Sequence, residues 1–519
     1  MTVTDPQYDE AVTRLEKDFD IPTESLNIIL EEFIREFDKG LGTHGHSVPM
    51  IPTYIYRLPT GKEKGTYLAI DLGGTNLRVC RVDLLGNHKF EIHQEKYMIS
   101  EELKLARAMD LFDYIAGCVS TFISSNCSDG HPQGQGGWKI GFTFSFPVEY
   151  VSRECGIGCW KIRFHETISH DVPYPMLTFV HISPKDNFTL TTAPSSVGPR
   201  ASTVPTPSAK TSLSFFRMPL TNVNATVVAI INDTTGALVA TNYTDADANV
   251  GLIFGTGTNA AYVEELGAMH KCLKEEEANT IKEKLKKHGH RAKMVVNTEW
   301  GALDNDDVVL PRTKYDHTLD ADSVHPRTQA FEKMISGMYL GEIARLALVD
   351  LMNQGILFAD VEEGEDERRR RREFWDREYE AWLTANMSAV ESDTTPNLTH
   401  TEHILMTPFT QPSTLRDRQL IQRVCQLVGR RAATLSALGV AAIVRKRNLI
   451  EGHKTCHVAV DGTLVNKYPY FKERMQETLC KIFGEEEAKR IVFVHAEDGS
   501  GVGAALVAML ASQEMHLEE

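Results

Sequence analysis

The chain has 519 residues, 71 acidic against 55 basic side chains, a net charge of −16 and 42% hydrophobic residues. That length exceeds one hydrophobic core, so two domains are the default expectation. The acidic balance argues against nucleic acid or an anionic membrane as a partner, because both would be repelled over the surface as a whole. A small anionic substrate would need a local positive site. No stretch is expected to span a bilayer, and Met1 to Leu41 is charged throughout rather than built like a signal peptide, which points to a cytosolic protein. Nine cysteines, an odd number scattered along the chain, fit reduced thiols, so the sequons at Asn224, Asn242, Asn386 and Asn397 are expected to stay unglycosylated.

In chain order, Asp9 to Phe37 has the apolar spacing of an amphipathic helical lead-in. Tyr67 to Ile70 is an apolar strand, and Arg78 to Asp83 alternates as a returning antiparallel strand should. Between them Gly73 and Gly74 free the backbone to approach an anion, with Thr75, Asn76 and Arg78 as further donors. Asp71, at the strand end, is placed to hold a divalent metal directly or through water, so the turn reads as a polyphosphate and magnesium site. Glu101 to Ile123 is helical and Trp138 to Phe146 is an apolar strand. Val151 to Thr221 then loses periodicity and gathers Ser, Thr and Pro.

Regular patterning resumes with the buried strand Val227 to Ile231, which ends at Asn232 and Asp233 before a helix starting near Thr235. A second glycine hairpin follows, from Val250 through Gly255, Thr256 and Asn259 to Glu264. Two such units predict two related half-structures facing each other across a nucleotide. His325 to Gln354 and Leu415 to Lys446 read as long helices, and Arg368 to Arg372 as a solvated helix face pairing Arg with Glu. His457 to Asp461 leads into Gly462 and Thr463, and Ile491 to Val494 leads into Ser500 and Gly501 at the start of a closing helix. Cys155 and Cys159 lack metal-site partners, and the histidines are dispersed.

Asp233 is the candidate general base. It sits at the C-terminal end of a buried strand, where a carboxylate can take the proton of an attacking hydroxyl; in isolation an Asp there reads more often as a helix cap. Nine motifs in order decide between these readings: Asp71 to Arg78, Gly141 to Pro147, Ile231 to Thr234, Gly255 to Asn259, Asn297 to Gly301, Leu310 to Asp316, Phe331 to Gly337, Val460 to Thr463 and Ala496 to Gly501. Together they resemble the hexokinase and glucokinase family, most closely its fungal members. The resemblance implies a two-lobed, actin-like ATPase (ribonuclease H-like) α/β fold with a cleft between the lobes. Residues 1–62 would be a helical part of the large lobe, 63–233 the small lobe, 234–501 the large lobe, and 502–519 a C-terminal helix returning to the small lobe.

It further implies ATP with Mg2+, and glucose or a related hexose phosphorylated at the 6-hydroxyl by a monomer or homodimer. Asp233 would be the base, and Ser145, Asn232, Asn259, Glu299 and Glu332 the sugar-hydroxyl partners. Gly73, Gly74, Thr75, Asn76, Arg78, Gly255 and Thr256 would hold the phosphates, and Gly462, Thr463, Ser500 and Gly501 would lie at the nucleoside end. One departure stands out. Between the Ser145 motif and Asp233 the family carries a stretch like Ile-Arg-Trp-Thr-Lys-Gly-Phe, whose Thr and Lys touch the sugar, and this chain has none. Ser195 to Ser202 can be encoded as TCATCCGTTGGACCAAGGGCTTCG, which two bases along reads Ile-Arg-Trp-Thr-Lys-Gly-Phe. Val151 to Thr221 is therefore read as a frame-shifted or intron-derived translation of an ordinary segment. Without it, the chain as written would be a catalytically impaired sugar-binding regulator or degenerate paralogue.

Overall fold

Two sheets with one topology form the core of the molecule. The structure is a computed structural model and describes residues 6–73, 76–104, 106, 108–127, 137–144, 148–152, 160–164, 176–182, 189–194, 225–271, 275–287, 292–361, 364–377, 379, 381–407 and 411–515. In the first sheet Lys64–Leu72, Asn76–Gly86 and Lys89–Met98 form an antiparallel meander, with Asp71 opposite Arg78; Trp138–Phe144 and then Ala225–Ile231 add in parallel on the other side of Lys64–Leu72. In the second, Ala248–Phe254, Thr258–Glu265 and Lys293–Asn297 form the meander, and Cys456–Asp461 and Ile491–His495 add in parallel. Counted in chain order within each sheet, both run 3-2-1-4-5, so the repeated glycine hairpin does mark two copies of one half-structure. A further short strand, Ile51–Pro52, extends the second sheet.

Each sheet sends the helix after its last strand to the other sheet. Asp233–Thr244 follows the first sheet and packs on Ala248–Phe254 of the second, while Gly499–Met515 follows the second sheet and packs on the first. Their buried aliphatic faces share one core, which includes Leu238, Val239, Val502 and Leu506. The two helices touch backbone to backbone: a Cβ at Gly236 would lie 2.9 Å from the Gly499 carbonyl oxygen, and one at Gly503 would lie 2.6 Å from the Gly236 carbonyl carbon.

Several elements differ from the periodic reading. The lead-in is two helices, Pro6–Phe19 and Thr23–Gly42, because Pro22 takes an extended ψ of 144° and cannot continue a helix. The stretch 325–354 is also two, Ala330–Ile335 and Leu340–Asn353, broken at Ser336 and Gly337. Leu415–Arg447 contains an 18-residue window of mean hydropathy 1.5, long and apolar enough to cross a bilayer, contrary to expectation; 89% of that window is buried inside the protein, where it forms the central helix of the larger core. Where no element was expected from 151 to 221, Trp160–Phe164, Met176–Ile182 and Thr189–Pro194 join Val148–Ser152, which enters that stretch at its start, in a four-stranded antiparallel sheet, in line with their β-branched and aromatic content. The rest of that stretch lies outside the described residues. Among the described residues the six cysteines are free, and the Arg-rich segment is the helix Glu365–Trp375, with Arg369 paired to Asp366 and Glu373.

The helix contact leaves no space for a side chain. Gly503→Ala is expected to lower unfolding free energy by about 1–3 kcal/mol, net of the helix propensity that Ala gains. Chemical denaturation should show this as a lower midpoint at unchanged slope.

Candidate functional site: a cleft between two glycine turns

The polar end of the site is built on Asn259, second residue of the strand Thr258–Glu265. Its Nδ2 donates to Asn297 Oδ1 and to Glu299 Oε1, both at 2.8 Å, and reaches Asn232 Oδ1 at 3.4 Å. Its Oδ1 accepts from the amides of Ala260 and Glu299 at 2.7 and 3.0 Å. Glu299 follows the strand Lys293–Asn297 in a left-handed conformation, φ 52°, which turns its carboxylate back toward Asn259 and Asn297. Glu332, from the helix Ala330–Ile335, accepts from the Thr258 amide at 2.9 Å. Gly257 permits that bond, since a Cβ there would lie 2.7 Å from Glu332 Oε2.

Asn232 and Asp233 enter this cluster from the first sheet. Asn232 is the helix cap: its Oδ1 accepts from Thr234 N at 2.9 Å and Thr234 Oγ1 at 2.5 Å. Asp233 is the first helical residue, is partly exposed, and shares the Thr234 amide at 2.8 Å. The cap that sequence reasoning assigned by default to the Asp therefore belongs to its neighbour. Asn232, Asp233, Asn259, Glu299 and Glu332 are brought together; Ser145 lies outside the described residues.

The anionic end of the first hairpin is a partly buried ion network around Asp71. Arg78 donates through Nε to Asp71 Oδ2 at 2.9 Å and through Nη2 to the same oxygen, and its Nη1 lies 3.6 Å from Asp498. Burial pushes the Asp71 carboxyl above its ordinary value, against the pull of Arg78, and the nearby Asp461 adds to the rise. Gly73 N donates to Asn76 O at 3.0 Å, which closes the turn; Gly74 and Thr75 lie outside the described residues. The Asp461 charge is felt at Asp71, and carboxylate oxygens are the ligand type that Mg2+ takes. A separate cluster escaped the view that histidines form no ligand group: the ligating atoms of Asp245, Asp247 and His457 lie within 4.8 Å of one another.

The second glycine turn walls a cavity of about 530 Å³. Gly255 and Thr256 line it, as do Thr463, Gly337, Met338, Thr384, Ser388 and Lys467. Gly337 N donates to Gly255 O at 2.8 Å and Met338 N to Thr256 O at 3.1 Å, so the loop that interrupts 325–354 is tied to the turn. Gly462 takes φ +113° with a Cβ position 2.8 Å from Gly255 N, a conformation and an approach that require glycine. Ser500 and Gly501 lie elsewhere: Thr143 Oγ1 donates to Ser500 O at 2.8 Å, and a Cβ at Gly501 would lie 3.2 Å from Cys80 Sγ, which sets both against the first sheet rather than in this cavity. Met338, Thr384, Ser388 and Lys467 were missed by sequence reasoning. They come from three separate segments, and no spacing links them.

Glu299 and Glu332 are both held above the ordinary carboxyl value, chiefly by burial; hydrogen bonds from Asn297 and from the Thr258 amide respectively oppose the rise. Their raised values mean that the ionised forms are disfavoured in the fold. The favourable protonated contribution is complete below the unfolded value of about 4.3 and is lost as pH rises through the folded value. Glu299→Gln should therefore melt above the parent at about pH 8, with the gap closing toward about pH 4, measured by thermal denaturation across pH.

Two family models described as hexokinase match residues 11–173 and 249–510. Hexokinase-1 of Schizosaccharomyces pombe is 40% identical over 504 residues, covering 96% of this chain and 90% of that protein. Hexokinase-2 of Saccharomyces cerevisiae is 38% identical over 514 residues, covering 98% and 93%, and a glucokinase of Aspergillus niger is 34% identical over 534 residues, covering 98% and 97%. Among solved structures, a hexokinase from Schistosoma mansoni in complex with glucose aligns with a TM-score of 0.72 at 29% identity, covering 98% of this chain and all of that one. Sequence, topology and cleft thus agree, and the chain belongs to the hexokinase family, enzymes that phosphorylate a hexose with ATP.

Proposed function

We propose that this hexose kinase phosphorylates glucose at the 6-hydroxyl, with Asp233 as general base. The carrying observation is the turn from Gly255 to Asn259. Gly255 and Thr256 line the 530 Å³ cavity, while Thr258 and Asn259 belong to the polar cluster beside Asp233. Donor and acceptor sites therefore meet across five residues. The amides and carboxylates of Asn232, Asn259, Glu299 and Glu332 supply both donors and acceptors, as a polyol requires, and reject analogues lacking the hydroxyls. The glucose bound to the related Schistosoma mansoni enzyme supports the choice of sugar.

In this reading Asp233 accepts the proton as the hydroxyl oxygen attacks the terminal phosphoryl group. It stands at the N-terminal end of its helix. Gly73, Gly74, Thr75, Asn76 and Arg78 from one side, and Gly255 and Thr256 from the other, hold the phosphates; Gly462 and Thr463 lie at the nucleoside end, and Ser500 and Gly501 close the first-sheet side. Asp71, with Asp461 near it, would hold Mg2+, which supplies charge neutralisation to the transferring phosphoryl group. Arg78 restrains Asp71 in the meantime. The lobes proposed are 63–233 and 234–501, with 1–62 joined to the larger and 502–519 to the smaller.

Ser145 and the absent Thr-Lys pair complete the sugar site in this reading. The family models leave 174–248 uncovered, which takes in 174–221 but not 151–173; the overlap supports treating that part of the stretch as a frame-shifted or intron-derived departure. Loss of a charge-assisted hydrogen bond to substrate costs about 1.5–3 kcal/mol, roughly one to two orders of magnitude in rate. A coupled assay for sugar 6-phosphate should thus find the chain carrying Ile-Arg-Trp-Thr-Lys-Gly-Phe about 10- to 100-fold more active than the chain as written. Equal activity would make 151–221 a genuine segment. In the restored background Asp233→Ala should lower kcat by at least about 100-fold with the melting temperature retained, and full turnover would remove Asp233 from its role. Asp71→Ala should raise KM for magnesium ATP more than KM for sugar, as steady-state kinetics would report.

A further inference from the structure

A second cavity, about 450 Å³, lies away from the cleft between the first two helices and the helices Leu415–Arg447 and Phe471–Phe483. Its walls are cationic in a chain that is acidic overall: Arg423, Arg430, Arg431, Arg474, Lys17 and Lys481 line it, against Glu16, Asp20 and Glu477. Two of these cations are buried. Arg431 is 1% exposed and Arg474 6% exposed. Each is only partly satisfied. Arg431 spends both terminal nitrogens on Asp316, at 2.6 and 2.7 Å, and its Nε has no hydrogen-bond partner. Arg474 spends Nη2 on the buried Glu391, leaving Nε and Nη1 without partners.

The open nitrogens are themselves buried, so these two arginines act on the cavity through their charge, and six cations against three acids along its walls favour an oxyanion there. Carboxylates of the chain do not fill it: Glu16 is bound by Arg423, and Glu477 pairs with Arg430 at 3.1 Å with both side chains more than half exposed. An exposed pair of that kind is held weakly and can re-form around a bound anion. Planar guanidinium forks and two flexible ammonium groups on opposite walls match phosphate oxygens better than a single carboxylate. We infer that this cavity is a binding site for a phosphate-class oxyanion, separate from the catalytic cleft. Arg474 also stands close to the cleft in contact terms, because Glu391 accepts from Tyr468 Oη at 2.9 Å and Tyr468 lines the cavity beside Gly255.

The test is calorimetric titration of the full chain with pyrophosphate at low, fixed ionic strength. The parent is compared with Arg430→Glu/Lys481→Glu and with a control carrying the same charge change on an exposed helix, Arg368→Glu/Arg370→Glu. The reversed residues are solvent-exposed, so the fold is retained; Lys17→Glu, on the opposite wall, is a second probe. The expected result is a pyrophosphate component in the parent and the control that weakens at least about tenfold in Arg430→Glu/Lys481→Glu and in Lys17→Glu, and that also weakens with added salt. Indistinguishable isotherms in all four proteins would overturn the site, since binding confined to the cleft is untouched by these changes.

Discussion

Everything at the cleft depends on two helices meeting without side chains between them. Gly236 and Gly503, with Gly499 beside them, let the Asp233–Thr244 and Gly499–Met515 backbones come into direct contact. Because each helix starts at the end of one sheet and packs on the other, that contact fixes the two half-structures relative to each other. It also brings two helix N-termini to one place. Asp233 begins one and Ser500 sits in the first turn of the other, so two partial positive charges lie close together. A side chain at the crossing would separate the halves before it disturbed any single contact.

The second constraint is the cost of taking carboxylates out of water. Asp71, Glu299 and Glu332 are all buried, and burial raises the carboxyl of each. Asn259 and Asn297 offset part of this for Glu299, the Thr258 amide does so for Glu332, and Arg78 does so for Asp71. Their ionised forms are therefore costly to the fold at neutral pH. The left-handed Glu299 belongs to the same pattern, with a backbone cost of about 1–3 kcal/mol for a non-glycine residue held in place by its neighbours.

A cleft of this kind is economical in chain. The five residues from Gly255 to Asn259 run from the cavity to the polar cluster, and the loop at Gly337 and Met338 binds them from behind. The break at Ser336 and Gly337 is therefore part of the site. A continuous helix would leave the Gly255 and Thr256 carbonyls without the two amides that hold the turn.

Much of this was legible in sequence because it is local. Alternation from Arg78 to Asp83, the apolar runs at Tyr67 and Val227, and the two glycine turns each reflect period-two patterning or a backbone freedom that only certain residues provide, and they determined the strands, the duplication and the residues around Asp233. Local signals could not decide between Asp233 and Asn232 as the cap, because both are good caps and only the fold shows Asn232 preceding the first helical residue with its Oδ1 accepting from both Thr234 N and Thr234 Oγ1. Nor could they locate Met338, Thr384, Ser388 and Lys467, or separate Ser500 and Gly501 from Thr463, because those placements follow from the exchange of helices between sheets. The sequence by itself determined the elements and their chemistry; tertiary structure alone decided which distant side chains share a cavity, since chain closure carries no local periodicity.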